Sequence, residues 1–145
     1  MQAIMRYELV INEALRSALM FDTPNEQLNE FIRFFGKHIG CDRIYIFEDN
    51  KKKHVTNNTY EWCASKVSPQ KNILRNIPPE TMGTWIPTFQ KGESIIIRNV
   101  NEIVSYDPTV YETLIPQNIA RLIGSPICRD REVIGFYGID NPPLD

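Results

Sequence analysis

Residues 40–48 read Gly-Cys-Asp-Arg-Ile-Tyr-Ile-Phe-Glu, and their texture decides the fold class. From Arg43 to Glu48 the run is β-branched and aromatic with no polar alternation. That is the pattern of a strand covered on both faces, since a strand with one wet face alternates apolar and polar side chains. Gly40 stops whatever helix precedes it, and Glu48-Asp49-Asn50 with Lys51-Lys52-Lys53 reads as a solvated turn. A sheet built around such a strand needs a layer on each face, which the rest of the chain must supply.

Upstream the supply is helical. Ile4, Tyr7, Ile11, Ala14, Ala18 and Phe21 recur at alternating spacings of three and four, with Leu15 and Leu19 widening the stripe. This predicts one long amphipathic helix ending before Asp22-Thr23-Pro24. Asp22 or Thr23 caps a second helix with Pro24 in its first turn, and Leu28, Phe31, Ile32, Phe35 and Ile39 share one side of it. Downstream, Val55 to Ala64 places Asn58, Tyr60 and Trp62 on one face of a strand and Asn57, Thr59, Glu61 and Cys63 on the other. A strand with one mostly polar face fits a sheet edge. An irregular stretch from Ser65 to Gly92, rich in proline, holds a short helix around Glu80 to Gln90. Ser94 to Val100 is a strand, Asp107-Pro108 opens a helix to about Gln117, and Arg121–Cys128 with Glu132–Ile139 forms a closing hairpin. The order α-α-β-β-(irregular, α)-β-α-β-β predicts an α+β domain with an antiparallel sheet.

Composition narrows the function. The chain has 145 residues, long enough to bury a core unaided. Its 42% apolar and 23% charged content is ordinary for a globular domain. A net charge of −2 gives no cationic field for nucleic acid or for direct contact with an anionic membrane. No apolar run approaches the ~20 residues of a membrane span, and the N-terminus lacks the pattern of a secretory signal. Cys41, Cys63 and Cys128 are odd in number and far apart, the usage of reduced thiols in a cytoplasmic protein. His38 and His54 have no serine or cysteine placed to use them as a base. No zinc spacing and no glycine-rich phosphate loop occurs, so no metal and no catalytic residue is assigned.

The sequence resembles a GAF domain, the small-molecule sensor module of bacterial signalling proteins. The likeness rests on Gly40–Glu48, Asn57–Cys63, Gly92–Val100, and the run from Leu122-Ile123-Gly124 to Ile139-Asp140-Asn141-Pro142, in that order. The pieces Asp-Arg-Ile-x-Ile-Phe-Glu and Asn-Asn-Thr-Tyr-Glu-Trp-Cys resemble a subgroup found beside diguanylate cyclase (GGDEF), EAL phosphodiesterase or histidine kinase domains. The resemblance implies a GAF-like (profilin-like) sheet in order 2-1-5-4-3, with N-terminal helices on one face and a pocket on the other. It also implies one domain over residues 1–145: an N-terminal signalling helix over 1–22 and a GAF core over 23–142. The output domain would lie outside this chain, which would not itself be an enzyme.

For the pocket, the resemblance implies that Tyr45 and Phe47 face the cavity while Ile44 and Ile46 face the helices. Leu122 and Gly124 share the cavity side. Trp85, Phe89, Tyr106 and Tyr111 come from the covering segments. The ligand is an unidentified small molecule. Neither a bilin nor a haem has an evident attachment residue, and the Asn-Lys-Phe-Asp-Glu signature of cyclic-nucleotide-binding GAF domains is absent, so no cofactor is expected. The alternatives are a cysteine-dependent free methionine sulfoxide reductase and a ligand-free dimerisation module. Ile4, Tyr7, Ile11, Ala14 and Ala18 form a heptad seam with two apolar faces, one for the sheet and one for a second copy in a homodimer.

Overall fold

The strand at the centre of the argument, β1 (Arg43–Asn50), is antiparallel to a neighbour on each side: β2 (Val55–Cys63) and β5 (Glu132–Asp140). β5 pairs with β4 (Leu122–Arg129), which pairs with the short β3 (Ile95–Ile97). The order β2-β1-β5-β4-β3 makes a five-stranded sheet and is the order the resemblance implies. The computed structural model describes residues 2–143, with side chains from Tyr7 onward. Ile4 of the predicted seam therefore lies outside the described side chains.

Strand parity divides the molecule into two cores. Ile44, Ile46, Tyr60, Trp62 and Ile139 point to one face and pack with Ile32, Ile39 and Cys41. Tyr45, Phe47, Leu122 and Phe136 point to the other and pack with Trp85, Phe89, Ile103 and Val110 from the covering segments. β1 feeds both clusters, which is why its sequence has no polar alternation.

The first layer is α2 (Pro24–Ile39), capped at both ends as its sequence predicts. Thr23 Oγ1 accepts the Glu26 N–H at 3.2 Å and donates to the Glu26 carboxylate at 2.8 Å, a capping box. Gly40 closes the helix at φ +81, its N–H donating to the Gly36 carbonyl. α1 (Gln2–Ala18) differs from expectation. It packs on α2 rather than on the sheet, with Ala14 and Ala18 buried and Tyr7 and Val10 against the α2-side core. The two alanines let the helix axes come close, and this consumes one side of the seam. Ile11, Leu15 and Leu19 on the next side are 38%, 48% and 73% exposed. The β3 and β5 parts of the same sheet face also show exposed side chains, Ile96 at 64% and Tyr137 at 39%.

The opposite layer begins with the irregular stretch. A 3₁₀ turn at Pro79–Met82 breaks at Gly83 before α3 (Trp85–Gln90), so two short pieces stand where one helix was expected. The break has a cause: Gly83 adopts φ +56, and a Cβ there would overlap the buried carboxylate of Asp107. Asp107 accepts the Thr84 N–H at 3.0 Å and the Thr84 hydroxyl at 2.6 Å, tying α3 to the start of α4 (Pro108–Leu114). A 3₁₀ turn at Ile115–Gln117 extends α4 to the predicted end.

Gly36, buried in the last turn of α2, tests the helix–sheet contact. A Cβ there would overlap the Trp62 ring and lie 3.1 Å from Ile44 Cδ1. On an open helix Gly→Ala stabilises by up to about 1 kcal/mol, whereas overpacking a core costs about 1–3 kcal/mol. Gly36→Ala is therefore expected to lower the urea midpoint. In a Trp62→Ala background the same substitution becomes neutral or stabilising, a coupling that a double-mutant cycle measures.

Candidate functional site

The cavity lies between the β1–β2 half of the sheet and its cover, and has a volume of about 300 Å³. Arg43, Tyr45, Phe47 and Phe136 form its floor, with Asn58 and Glu61 from β2 along one edge. Gln70, Leu74, Ile77, Met82 and Trp85 of the irregular stretch close it from one direction, and Val110, Thr113, Leu114, Gln117 and Ile119 from the other. The floor rings are interlocked: Phe47 stacks on Phe136 with centroids 4.7 Å apart, and Tyr45 meets Phe47 edge-on at 5.7 Å. The walls are thus apolar and rigid, with polar groups gathered at one end, the usual make-up of a small-molecule site.

The polar end depends on a bulge. Ile46 faces Tyr60 and the next residue, Phe47, faces Asn58, so Thr59 is the extra residue of β2. The bulge reverses side-chain parity on one side of it. Simple alternation places Asn58 with Tyr60 and Trp62. The structure corrects this: Tyr60 and Trp62 pack toward α2, while Asn58 joins Glu61 at the cavity. Past the bulge, β2 is held by the irregular stretch rather than left open. Thr56 and Ile77 exchange two N–H···O bonds at 2.9 Å, and the Asn58 N–H donates to the Leu74 carbonyl at 2.9 Å. This covers the sheet edge.

Arg43 organises the charges. Its Nη1 donates to Asp140 at 2.6 Å and to Gln117 Oε1 at 3.3 Å, and its Nη2 donates to the Ser68 carbonyl at 2.8 Å. Glu61 lies 3.8 Å from its Nε. One buried guanidinium thus binds the sheet floor, the irregular stretch and the end of α4 together. Asp140 also accepts the Tyr45 hydroxyl at 3.0 Å, and Glu61 accepts the main-chain N–H groups of Gln70 and Lys71. Burial raises the Asp140 carboxyl to about 6, outweighing the opposing pull of Arg43. The Tyr45 phenol is also pushed up, by burial first and by the Asp140 charge second.

The predicted pocket residues divide between two environments. Tyr45, Phe47 and Trp85 line the cavity. Phe89, Leu122 and Gly124 lie over the neighbouring half of the same sheet face, outside this cavity. Phe89 stacks on Phe136 at 5.2 Å, and its Cζ would be 3.5 Å from a Cβ on Gly124, an ordinary van der Waals contact. Phe89 also lines a second cavity with Ile86, Glu132 and Val133 near the tip of the closing hairpin. Tyr111 is half-buried against this core with its hydroxyl 3.4 Å from Asn101 Oδ1. Tyr106 does not line the cavity. It precedes Asp107 in the turn before α4, and its side chain is 59% exposed.

Arg43, Asn58, Glu61, Gln70, Gln117 and Asp140, the polar complement of the site, were not singled out from the sequence. The arginine and aspartate inside the apolar segments Arg43–Phe47 and Glu132–Asp140 were the legible sign, since charges enter such strands only when paired. None of the cysteines lines the cavity. Cys41 is buried on the α2 side, its thiol pushed up to about 12 by burial. Burial also raises Cys63, while Cys128 is exposed near the tip of the closing hairpin. Among the described residues no cluster of His, Cys, Asp or Glu could hold a metal ion, and no helix is long and apolar enough to cross a membrane.

No protein-family model matches the chain, and no curated protein matches it in sequence. Solved structures do match it. The phycocyanobilin-bound GAF domain from a cyanobacterial phytochrome superposes with a TM-score of 0.76 at 14% identity, over 96% of this chain and 83% of that one. The A. aeolicus nlh2 GAF domain in an inactive state gives 0.69 at 19% identity, over 97% and 82%. The chromophore-binding domain of Stigmatella aurantiaca bacteriophytochrome (Thr289His mutant) in the Pr state gives 0.71 at 11% identity. There the match covers 94% of this chain and only 51% of the phytochrome chain. At these identities the likeness establishes the fold, which is that of a GAF domain.

The raised Asp140 carboxyl has a defined consequence for stability. Between the ordinary carboxylate range near 3.8 and its folded value of about 6, the folded state holds a proton that the unfolded chain has released. Relative to Asp140→Asn, the wild type is expected to be most stable below pH 4. It should lose on the order of 2–3 kcal/mol as pH rises from 4 to about 7, where the folded carboxyl finishes titrating, and show no further change to pH 8. Urea unfolding of both proteins at several pH values measures the difference, and a flat difference across pH 4–6 refutes the assignment.

Proposed function

We propose that this domain is a sensory, small-molecule-binding GAF domain of a bacterial signal-transduction protein, controlling an output domain such as a diguanylate cyclase. The observation that carries this reading is the partly open, apolar cavity whose cover is tied to the sheet through one buried guanidinium. In this reading a bound ligand contacts Gln70, Leu74, Ile77 and Gln117, which belong to segments held by Arg43 and Glu61. Binding thereby favours one arrangement of the cover, and the attached output follows by population shift. The separation of the thiols from the cavity supports sensing over a cysteine-dependent reductase. In this reading residues 23–142 form the sensing core and residues 1–22 a signalling helix.

Dimerisation belongs to the same proposal in a revised form. With Ala14 and Ala18 buried against α2, the surface offered to a second copy is Ile11, Leu15 and Leu19. Three apolar side chains on one exposed helix face favour self-association over solvation.

Two measurements test these statements. A thermal-shift screen of metabolites is expected to find a compound that raises Tm by several degrees, the size of effect given by ligand at about a hundred times its Kd. Val110→Trp, which fills the cavity, should abolish the response. A shift that persists in that variant places binding elsewhere and ends the cavity reading. By sedimentation, the wild type is expected to be dimeric at micromolar concentration and Leu15→Glu/Leu19→Glu monomeric; a monomeric wild type rules out the helix seam.

A further inference from the structure

Asn58 carries an unmet requirement. Its side chain is 1% exposed and lines the cavity, and its Oδ1 has no hydrogen-bond partner. The amide orientation follows from its neighbour: Nδ2 faces Glu61 Oε2 at 3.5 Å, and a carboxylate only accepts. Turning the amide over would set two acceptor oxygens against each other, so Oδ1 is directed away from Glu61. A buried carbonyl oxygen left unpaired costs about 1–3 kcal/mol. Glu61 is already engaged, its oxygens accepting from the Gln70 and Lys71 N–H groups, whereas Asn58 Oδ1 accepts from nothing.

The surroundings define what can complete it. The positive charge of Arg43 is engaged by Asp140 and approached by Glu61, two acidic groups against one basic. An anion entering here would meet the Glu61 carboxylate without a free cation to offset it. The walls beside Asn58 are the rings of Phe47, Trp85 and Phe136 with aliphatic side chains from the cover. The volume of about 300 Å³ is roughly twice the ~150 Å³ cavity that admits one benzene, room for one or two rings.

We propose that the cavity takes a small uncharged or cationic aromatic compound of one or two rings, and that Asn58 Oδ1 selects it by accepting its N–H. The inference rests on the cavity reading above and adds the ligand class and the selecting residue. The bulge at Thr59 supplies the geometry, since it turns Asn58 from the α2 side to the cavity.

Matched probes separate the two ideas. Indole presents a ring N–H, benzothiophene has nearly the same shape without a donor, and indole-3-carboxylate adds a negative charge. In heteronuclear NMR titrations of the wild-type protein, indole is expected to bind roughly tenfold or more tightly than benzothiophene, with indole-3-carboxylate weaker than indole. The Asn58 side-chain amide signals should move with indole and not with benzothiophene. Asn58→Leu, close to the same volume, should bring indole and benzothiophene to equal affinity while both still bind. Equal binding of the two probes to the wild type overturns the role of Asn58 and leaves the cavity reading standing, and so does a preference that survives Asn58→Leu. Failure of all three probes to bind overturns both, and the wild-type comparison stands even where the variant does not fold.

Discussion

The fold closes around the buried pair Arg43–Asp140. The two residues face each other across β1 and β5, and the guanidinium continues outward to the Ser68 carbonyl and to Gln117. Burying an ion pair is costly unless its remaining hydrogen-bonding groups are met. Most of them are met by the segments that must cover the sheet, while Arg43 Nε, 3.8 Å from Glu61, makes no hydrogen bond, so the cost of the charges is offset chiefly when the cover is in place. Sheet floor and cavity roof are therefore one cooperative unit. The raised carboxyl of Asp140 is the residue of that cost, the part of its desolvation that Arg43 and Tyr45 do not repay.

The cavity takes its boundary from a ring stack and its polar end from a departure from regularity. Phe89 packs over Gly124 of β4 and stacks on Phe136 at 5.2 Å, which bounds the cavity toward β4. The extra residue Thr59 in β2 bends the edge strand and turns Asn58 inward. The bulge thereby gives the β1–β2 half its polar end.

The opposite face is less complete. α2 covers β1 and β2, α1 lies on α2, and the face stays open around Ile96 of β3 and Tyr137 of β5. The periodicity of the α1 seam predicts contact with both the sheet and a partner, yet the main packing partner of α1 is α2. Ala14 and Ala18 explain the difference: small residues favour close approach of one helix to another, and a strand surface offers no matching groove. Periodicity reports that a helix has an apolar side, and it does not say which neighbour meets that side.

The sequence by itself determined the elements, their order and the two-sided burial of β1. Each of these follows from local period, capping residues and turn chemistry, all carried by residues close together in the chain. The helix caps at Thr23 and Gly40 and the aromatic floor at Tyr45 and Phe47 were legible for that reason. Tertiary structure alone decided the polar end of the cavity and the exclusion of Tyr106, Phe89 and Leu122 from its lining. Arg43 and Asp140 are 97 positions apart, and a bulge shifts parity without any marker that alternation can detect. Such pairings depend on strand register and on how deeply one ring descends beside another, and those are settled only when the whole sheet has formed.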